Sequence, residues 1–422
     1  MTGTALLAIL MLLAGVIAAV PVAAILAIVI LLIEVVRAVW ARNGLRDLQY
    51  TRALSRHRMT WGEEIPATIE VWNRKSLPLA WLTAADGASS GVTVRERELE
   101  IGDAGARVLR NAWTLAPFER VTRHFHLGAT RRGSYLLGPV DLVVGDLFAR
   151  EAAIERRPAT DRFLVWPRTV TTAAVHRRDR WGGTDRALAG LTEDPSRFAG
   201  VREYAPGDPV RRVHPRASAR LGRPLVKVFE PSRDREVLIA LDVQTRPGRL
   251  WEGSGDDEEV ESLFVVAASV ARSLAAERAT FGLAAAGYHG AEQRFAMLPP
   301  SEAPGQLERV LDLLARLSSH PSSEFQQLIA AVIRTIRPGT TVVVVTGREP
   351  RPYLAHLRRL ERAGCPVVVL ACGVNAGADA AVARAAGLTA RVGRLDGPWQ
   401  TAGHLDVSSA RRATVQPAAP PP

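Results

Sequence analysis

The chain opens on an apolar block: Ala5 to Ile33 carries no charged residue. A bilayer crossing takes about 20 such residues as a helix, so the block is long enough to span. A straight helix over residues 4–33 would run about 45 Å against about 30 Å of hydrocarbon. The block is therefore either one steeply tilted span or, because Pro21 falls near its middle, a hairpin of two short spans meeting around Ala18 to Ala23. Arg37, Arg42, Arg46, Arg52, Arg56 and Arg58 follow it, and no Lys or Arg precedes it. Positive charge flanks a span on its cytoplasmic side, which puts residues 41–422 in the cytoplasm under either topology. Trp40 sits where an interfacial aromatic belongs.

Past the block the period changes twice. Ile65 to Trp72 and Val121 to Leu127 alternate apolar and polar residues, as half-buried strands do, and Asn73 to Ser76 marks a turn. Tyr135 to Val144 is two apolar runs around a Gly-Pro break. Short strands without helical periodicity from Leu45 to Arg168 predict a β-sandwich-like domain. Residues 170–200, with Gly182-Gly183, Thr184 and many charges, read as an exposed linker. From Glu236 onward, strand-like segments (the continuous apolar run Val237–Leu241, then Phe281–Ala286, Phe295–Leu298, Thr341–Val345, Val367–Leu370 and the short Thr389–Val392) alternate with helical spacing over Val260–Ala276, Leu307–Leu317, Phe325–Ile336, Tyr353–Ala363 and Asp379–Ala386. That alternation predicts an open, mostly parallel sheet with helices on both faces. Residues 405–422, ending in Ala and Pro, read as a disordered tail.

Between these regions lies an arginine-rich segment, Phe198 to Arg220, read as FAGVREYAPGDPVRRVHPRASAR. Pro206-Gly207 is a turn signal, since proline presets the first turn dihedral and glycine accepts a positive one. Asp208 can bond back to local amides or pair with an arginine across the turn. Ala217 to Arg220 can start a short helix, and Leu225 to Phe229 reads as a strand. The segment resembles the signature of the "domain of unknown function 58" family, R-x-Y-x-P-G-D-x-x-R-x-I-x-W-x-x-x-A-R. Arg202, Tyr204, Pro206, Gly207, Asp208, Arg211, Ala219 and Arg220 match it, and Val213 stands in for the isoleucine. Pro215 stands where the family has tryptophan and supplies neither its ring area nor its N–H. Upstream, Arg131-Arg132-Gly133-Ser134-Tyr135, Leu137-Gly138-Pro139 and Trp166-Pro167-Arg168 match as well.

The resemblance implies a bacterial membrane-anchored protein with two spans. It also implies a C-terminal part similar to a von Willebrand factor A domain, and association with a MoxR-type AAA+ ATPase. The organisation expected is a transmembrane hairpin (1–40), a β-sandwich-like domain (41–168) and a linker with the signature segment (169–235). A von Willebrand A-like doubly wound domain (236–404) and the tail (405–422) complete it.

Composition narrows the partners. The net charge is +11, yet lysine occurs only at Lys75 and Lys227, so the excess is arginine. It is spread along the chain without aromatic interleaving, which fits anionic lipid and does not point to nucleic acid. Cys365 and Cys372 flank an apolar run and read as buried, inert thiols in a reducing compartment.

Doubly wound sheets bind ligands beyond the carboxyl ends of their strands, which draws attention to Asp242-Val243-Gln244-Thr245-Arg246. A von Willebrand A metal site carries D-x-S-x-S there. This chain keeps Asp242 but has Gln244 and Arg246 at the serine positions, and an arginine brings positive charge where the cation would sit. Thr346-Gly347 lacks the aspartate found at the later strand end of intact sites. The expectation is a degenerate site, no bound metal or cofactor, and Asp242 either paired with Arg246 or capping a turn. His124 and His126 share a strand face without a third ligand. Gly253-Ser254-Gly255 lacks the lysine of a phosphate-binding loop, and the carboxylates at 256–259 suit the start of a helix. Ser218 is the one hydroxyl worth testing as a nucleophile.

Three functions follow. The first is a non-enzymatic interaction module at the cell membrane, contacting its partner through Arg202, Tyr204, Pro206, Gly207, Asp208, Arg211 and Arg220. The second is a metal-dependent binder built on Asp242. The third is an enzyme whose anionic substrate is held by Arg202, Arg211, Arg212 and Arg220.

Overall fold

The computed structural model describes residues 3–17, 20–102, 105–145, 151–172, 193–204, 213–231, 236–246, 257–287 and 294–408. Its chain divides into two units, Met1–Trp166 and Pro167–Pro422.

In the first unit the apolar block forms two helices that pack on each other, α1 (Gly3–Ile17) and α2 (Pro21–Asn43). Pro21 occupies the first turn of α2, where its missing N–H costs nothing. The helices approach closely at Gly15, where an added Cβ would lie 3.0 Å from the Ala24 nitrogen. At their other end Thr4 Oγ1 donates to Glu34 at 2.6 Å. α2 is long and apolar enough to cross a membrane. α1, with 15 residues, runs only about 22 Å. The last turns of α2 do not lie free: Trp40, expected as an interfacial aromatic, is buried in the core of the β-domain, with Val36 packed beside it.

That core lies between two sheets. The first has the order β1-β3-β8-β5, comprising β1 (Leu48–Leu54), β3 (Ile65–Asn73), β8 (Arg120–Ala129) and β5 (Val92–Val94). The second runs β2-β11-β9-β4-β7-β6, comprising β2 (Arg58–Thr60), β11 (Asp161–Trp166), β9 (Gly133–Gly145), β4 (Leu79–Ala88), β7 (Arg107–Leu115) and β6 (Glu100–Ile101). β10 (Glu151–Arg157) pairs with β9. Alternation along β3 turns Ile65, Ala67, Ile69 and Val71 inward onto Leu82, Leu109, Leu142 and Val144. Each fully buried large aliphatic side chain contributes about 1.5–3 kcal/mol.

One buried polar network interrupts this core. Arg52 donates Nε to Asp161 at 2.6 Å, Nη1 to Asp86, and Nη2 to the carbonyls of Leu137 at 2.9 Å and Ala159 at 3.2 Å. The Tyr50 hydroxyl donates to the second Asp86 oxygen. Gly138 lies where Arg52 lands. Its φ is +94°, and a Cβ there would stand 2.1 Å from the Ala159 carbonyl oxygen. The Leu137-Gly138-Pro139 motif thus serves a close backbone approach that no larger residue allows.

The second unit holds a sheet of eight strands among the described residues, in the order β12-β21-β20-β19-β18-β15-β16-β17. Its strands are β12 (Thr171–Thr172), β15 (Glu236–Leu241), β16 (Thr280–Ala285), β17 (Ala296–Ser301), β18 (Thr341–Thr346), β19 (Val367–Ala371), β20 (Thr389–Leu395) and β21 (His404–Ser408). The five from β20 to β16 are mutually parallel, while β17 pairs antiparallel with β16, and β21 pairs antiparallel with β20 and parallel with β12. Helices α6 (Phe325–Thr335), α7 (Leu354–Arg362) and α8 (Ala376–Ala385) bury one face with Leu238, Val342, Val344 and Val369. α4 (Asp257–Ala276) packs on β15, β16, β18 and β20, and α5 (Gln306–Arg316) on α4, β16 and β17. The mixed helix-and-sheet architecture read from periodicity is present.

Boundaries differ from expectation at three places. Residues 170–172 are not linker: Val170 is buried, and Thr171 and Thr172 extend the sheet beside β21. Residues 193–203, expected as linker running into the signature segment, form β13 (Glu193–Glu203), paired antiparallel with β14 (Leu225–Pro231). His404–Ser408 is a strand rather than the start of the tail, because its pairing with β20 supplies backbone partners that composition does not reveal.

Candidate functional site

The carboxyl ends of β15 and β18 lie side by side. Asp242 follows β15 and is 1% exposed. Arg348 follows β18 two residues after Thr346 and folds back, 8% exposed, over Asp242. Its Nε donates to Asp242 Oδ2 at 2.8 Å, with Nη2 3.5 Å from Oδ1. Oδ1 also accepts from the Gln244 backbone N–H at 3.2 Å, and Thr346 Oγ1 stands 3.4 Å from Oδ2. Thr346 Oγ1 in turn shares a hydrogen bond with the Tyr353 hydroxyl at 2.8 Å. The Arg348 guanidinium lies 5.5 Å from the centroid of the Tyr353 ring, which meets Phe325 edge-on.

Burial pushes the Asp242 carboxyl up, and Arg348 is foremost among the groups opposing that rise. Tyr353 is pushed well above its ordinary range by burial and then by the Asp242 charge. A buried carboxylate needs a cation, and here the chain supplies it.

This corrects the expected pairing. Asp242 binds Arg348, not Arg246, whose side chain is exposed. The turn-capping role stands, through the Gln244 N–H. Gln244 directs its amide Nε2 to the Arg246 carbonyl at 2.9 Å. Among the described residues no cluster of three His, Cys, Asp or Glu side chains is arranged to hold a metal. Arg348 was legible in principle as the first charged residue beyond the strand, but nothing local marks it as Asp242's partner.

On the same sheet edge a cleft of ≈ 390 Å³ is lined by Glu258, Glu259, Cys372, Arg394, Trp399 and Gln400, among others. Glu258 is tied down by the Trp399 Nε1 and Gln400 Nε2 donors. Burial raises the thiol of Cys372 to about 12 and that of Cys365 above its usual range, as suits unreactive core cysteines. In the first unit His126 is held by Glu96, Nδ1 to Oε1 2.6 Å, rather than poised beside His124 for a metal.

The signature segment is a strand–helix–strand element. Arg202 lies on β13 opposite Val226, and Tyr204 follows the strand, half-buried, its N–H on the Pro224 carbonyl at 3.0 Å. α3 (Pro215–Leu221) starts with the His214 Nδ1 accepting from the Ala217 N–H at 3.2 Å, and ends with Arg220 exposed. Pro215 is the first helical residue, a position that favours proline. The departure from tryptophan is therefore compatible with the local backbone. Ser218 is engaged: its Oγ accepts from the Leu225 N–H at 2.9 Å, latching α3 to β14. Pro206, Gly207, Asp208, Arg211 and Arg212 lie outside the described residues.

Residues 200–388 match the model of a family described as "Protein of unknown function DUF58". Over 245 residues the chain is 24% identical to the "Uncharacterized protein YeaD" of Bacillus subtilis (strain 168), a match covering 58% of this chain and 57% of that protein. The alignment thus spans little more than half of that relative.

Among solved structures, an Escherichia coli alpha-2-macroglobulin fragment aligns over 29% of this chain and 17% of its own, at 18% identity and a TM-score of 0.21. A CARDB domain from Pyrococcus furiosus aligns over 28% of this chain and 90% of its own, at 13% identity and a TM-score of 0.19. Alignments with such scores carry no argument about this chain.

Proposed function

We propose that this chain is a membrane-anchored interaction module rather than an enzyme. In this reading α1 and α2 form a two-span anchor, both folded units lie in the cytoplasm, and the second unit is a von Willebrand factor A-like domain. The strand–helix–strand signature element, with Arg202, Tyr204 and Arg220 together with residues 205–212, is the docking surface. The partner that family resemblance suggests is a MoxR-type AAA+ ATPase.

The observation that carries this is the buried Asp242–Arg348 pair. The carboxyl edge of the sheet carries a buried carboxylate, but an internal guanidinium neutralises it at 2.8 Å. A divalent cation would have to displace Arg348, which disfavours a metal-dependent binder. Engagement of Ser218 with Leu225 likewise gives no support to a nucleophilic enzyme.

The test is affinity purification of the detergent-solubilised full chain, with mass spectrometry, beside an Asp208→Ala/Arg211→Ala double variant and an Arg220→Glu variant. The proposal expects an AAA+ ATPase with wild type and its loss from variants that remain folded. The same proteins on every bait would reduce the signature to scaffold.

A further inference from the structure

One edge of the β-domain gathers two arginines and buried hydrogen-bond donors, and among the described residues no carboxylate pairs with either arginine. Arg123 stands on β8 of the first sheet, Asn111 and Trp113 on β7 of the second. Arg97 lies on the residues linking β5 to β6, between the two sheets. Arg123 donates Nη1 to Asn111 Oδ1 at 2.7 Å and Nη2 to the Ala112 carbonyl at 3.2 Å. Arg97 donates Nη1 to the same Oδ1 at 3.3 Å and to the Arg110 carbonyl at 2.8 Å. The Arg123 guanidinium also lies 4.8 Å over the Trp113 ring.

Two guanidinium groups therefore converge on a single neutral oxygen. Neither has an ion-pair partner among the described residues; of the neighbouring acids, Glu96 is held by His126 and Glu100 by Arg110, while Glu98 is exposed. Burial, then the nearby Arg97 charge, lowers the proton affinity of Arg123. The donor excess continues inward. With Oδ1 taken by the arginines, the Asn111 Nδ2 is buried without a partner, as is Trp113 Nε1. Asn111 and Trp113 are only 2% and 7% exposed. A buried donor left unpaired is costly in a folded protein. Among the described residues, neither arginine meets an acceptor that carries negative charge.

We propose that the edge is an oxyanion site, holding a phosphate or carboxylate group between the guanidinium groups of Arg97 and Arg123. Planar guanidinium forks match the paired oxygens of such groups. Half-buried Arg123 forms the floor, and exposed Arg97 closes over the anion from solvent. The site is separate from the signature segment and independent of how that segment works.

The experiment is thermal unfolding of the full chain in detergent micelles, with inorganic phosphate or acetate against chloride at matched ionic strength. At a phosphate concentration about tenfold above its dissociation constant, the folded-to-unfolded ratio should rise about elevenfold. Arg97→Gln, an exposed position, should keep the fold and lose that gain. Asn111→Asp places a carboxylate between the guanidinium groups, and should be more stable than wild type in chloride while no longer responding to phosphate. An Arg97-dependent gain in phosphatidylglycerol nanodiscs, without one in free phosphate, would assign the oxyanion to a lipid headgroup. Wild type that responds to none of these anions, or variants that respond as wild type does, would overturn the proposal.

Discussion

Replacing Arg348 by Met removes the cation from a carboxylate that cannot reach water. Asp242 keeps the Gln244 N–H at 3.2 Å and the longer Thr346 contact, neither of which carries charge. Breaking a buried pair from one side costs about 3–5 kcal/mol. At about 1.4 kcal/mol per decade, the lower figure corresponds to roughly a hundredfold increase in opening of the surrounding strands. Hydrogen–deuterium exchange across Thr341–Thr346 and Glu236–Leu241 reads this locally in the full chain, with the first unit as an internal control.

The pH dependence has a definite sign. Without Arg348 to oppose burial, the Asp242 carboxyl rises further above its ordinary value of 3.8, so the folded state holds the proton more tightly than the unfolded. Stability is then fully present below that ordinary value and is lost as pH rises through the folded-state value. The deficit of the variant should be smaller at about pH 5 than at about pH 7. Asp242→Asn combined with Arg348→Met removes both charges and should recover a large part of the loss. Millimolar Mg²⁺ should leave wild type unchanged. Exchange in the Arg348→Met variant equal to wild type, or a wild-type stability that climbs with Mg²⁺, would refute the guanidinium as the carboxylate's cation.

Four further substitutions test the first unit. Arg52→Met strands Asp86 in the core and should cost about 3–5 kcal/mol, whereas Tyr50→Phe deletes one hydrogen bond to a charge and should cost about 1.5–3, both read by urea unfolding. Gly138→Ala sets a methyl group against the Ala159 carbonyl at a positive φ and should destabilise by more than about 1 kcal/mol, read as a lower thermal midpoint. The hydrogen bonds from His126 hold Glu96 down at about 2 against an ordinary 4.5. Its contribution should be full above about pH 4.5 and fade as pH falls towards 2, so acid-unfolding curves of wild type and Glu96→Gln should separate above that window and converge below it.

The elements were legible wherever burial imposes a period. Ile65 to Trp72 alternates because one face meets a core, and Val367 to Leu370 is uniformly apolar because both faces do. Pairings across long sequence separations were not legible. Arg348 reaches Asp242 over 106 positions, and Arg52 reaches Asp161 over 109, so no local pattern ties them. His404–Ser408 was missed for the same reason, since its partner on β20 supplies what its own composition lacks. Against the family pattern Pro215 is only a lost tryptophan, whereas in the fold it suits the opening of a helix.

The way α2 enters the β-domain has a mechanical consequence. An anchor joined by loose chain transmits neither direction nor twist, but here one helix runs from the proposed membrane span into packed core at Trp40. Gly44, next along, is pressed so near Val144 that a Cβ would lie 2.9 Å from it. The azimuth of the β-domain about the span is then set by helical phase. One residue inserted between Ile33 and Val36 would turn the domain by about 100° and shift it about 1.5 Å, while seven would return it close to its original heading. The anchor would act as a keyed shaft, fixing which side of the domain faces a neighbour in the plane of the bilayer.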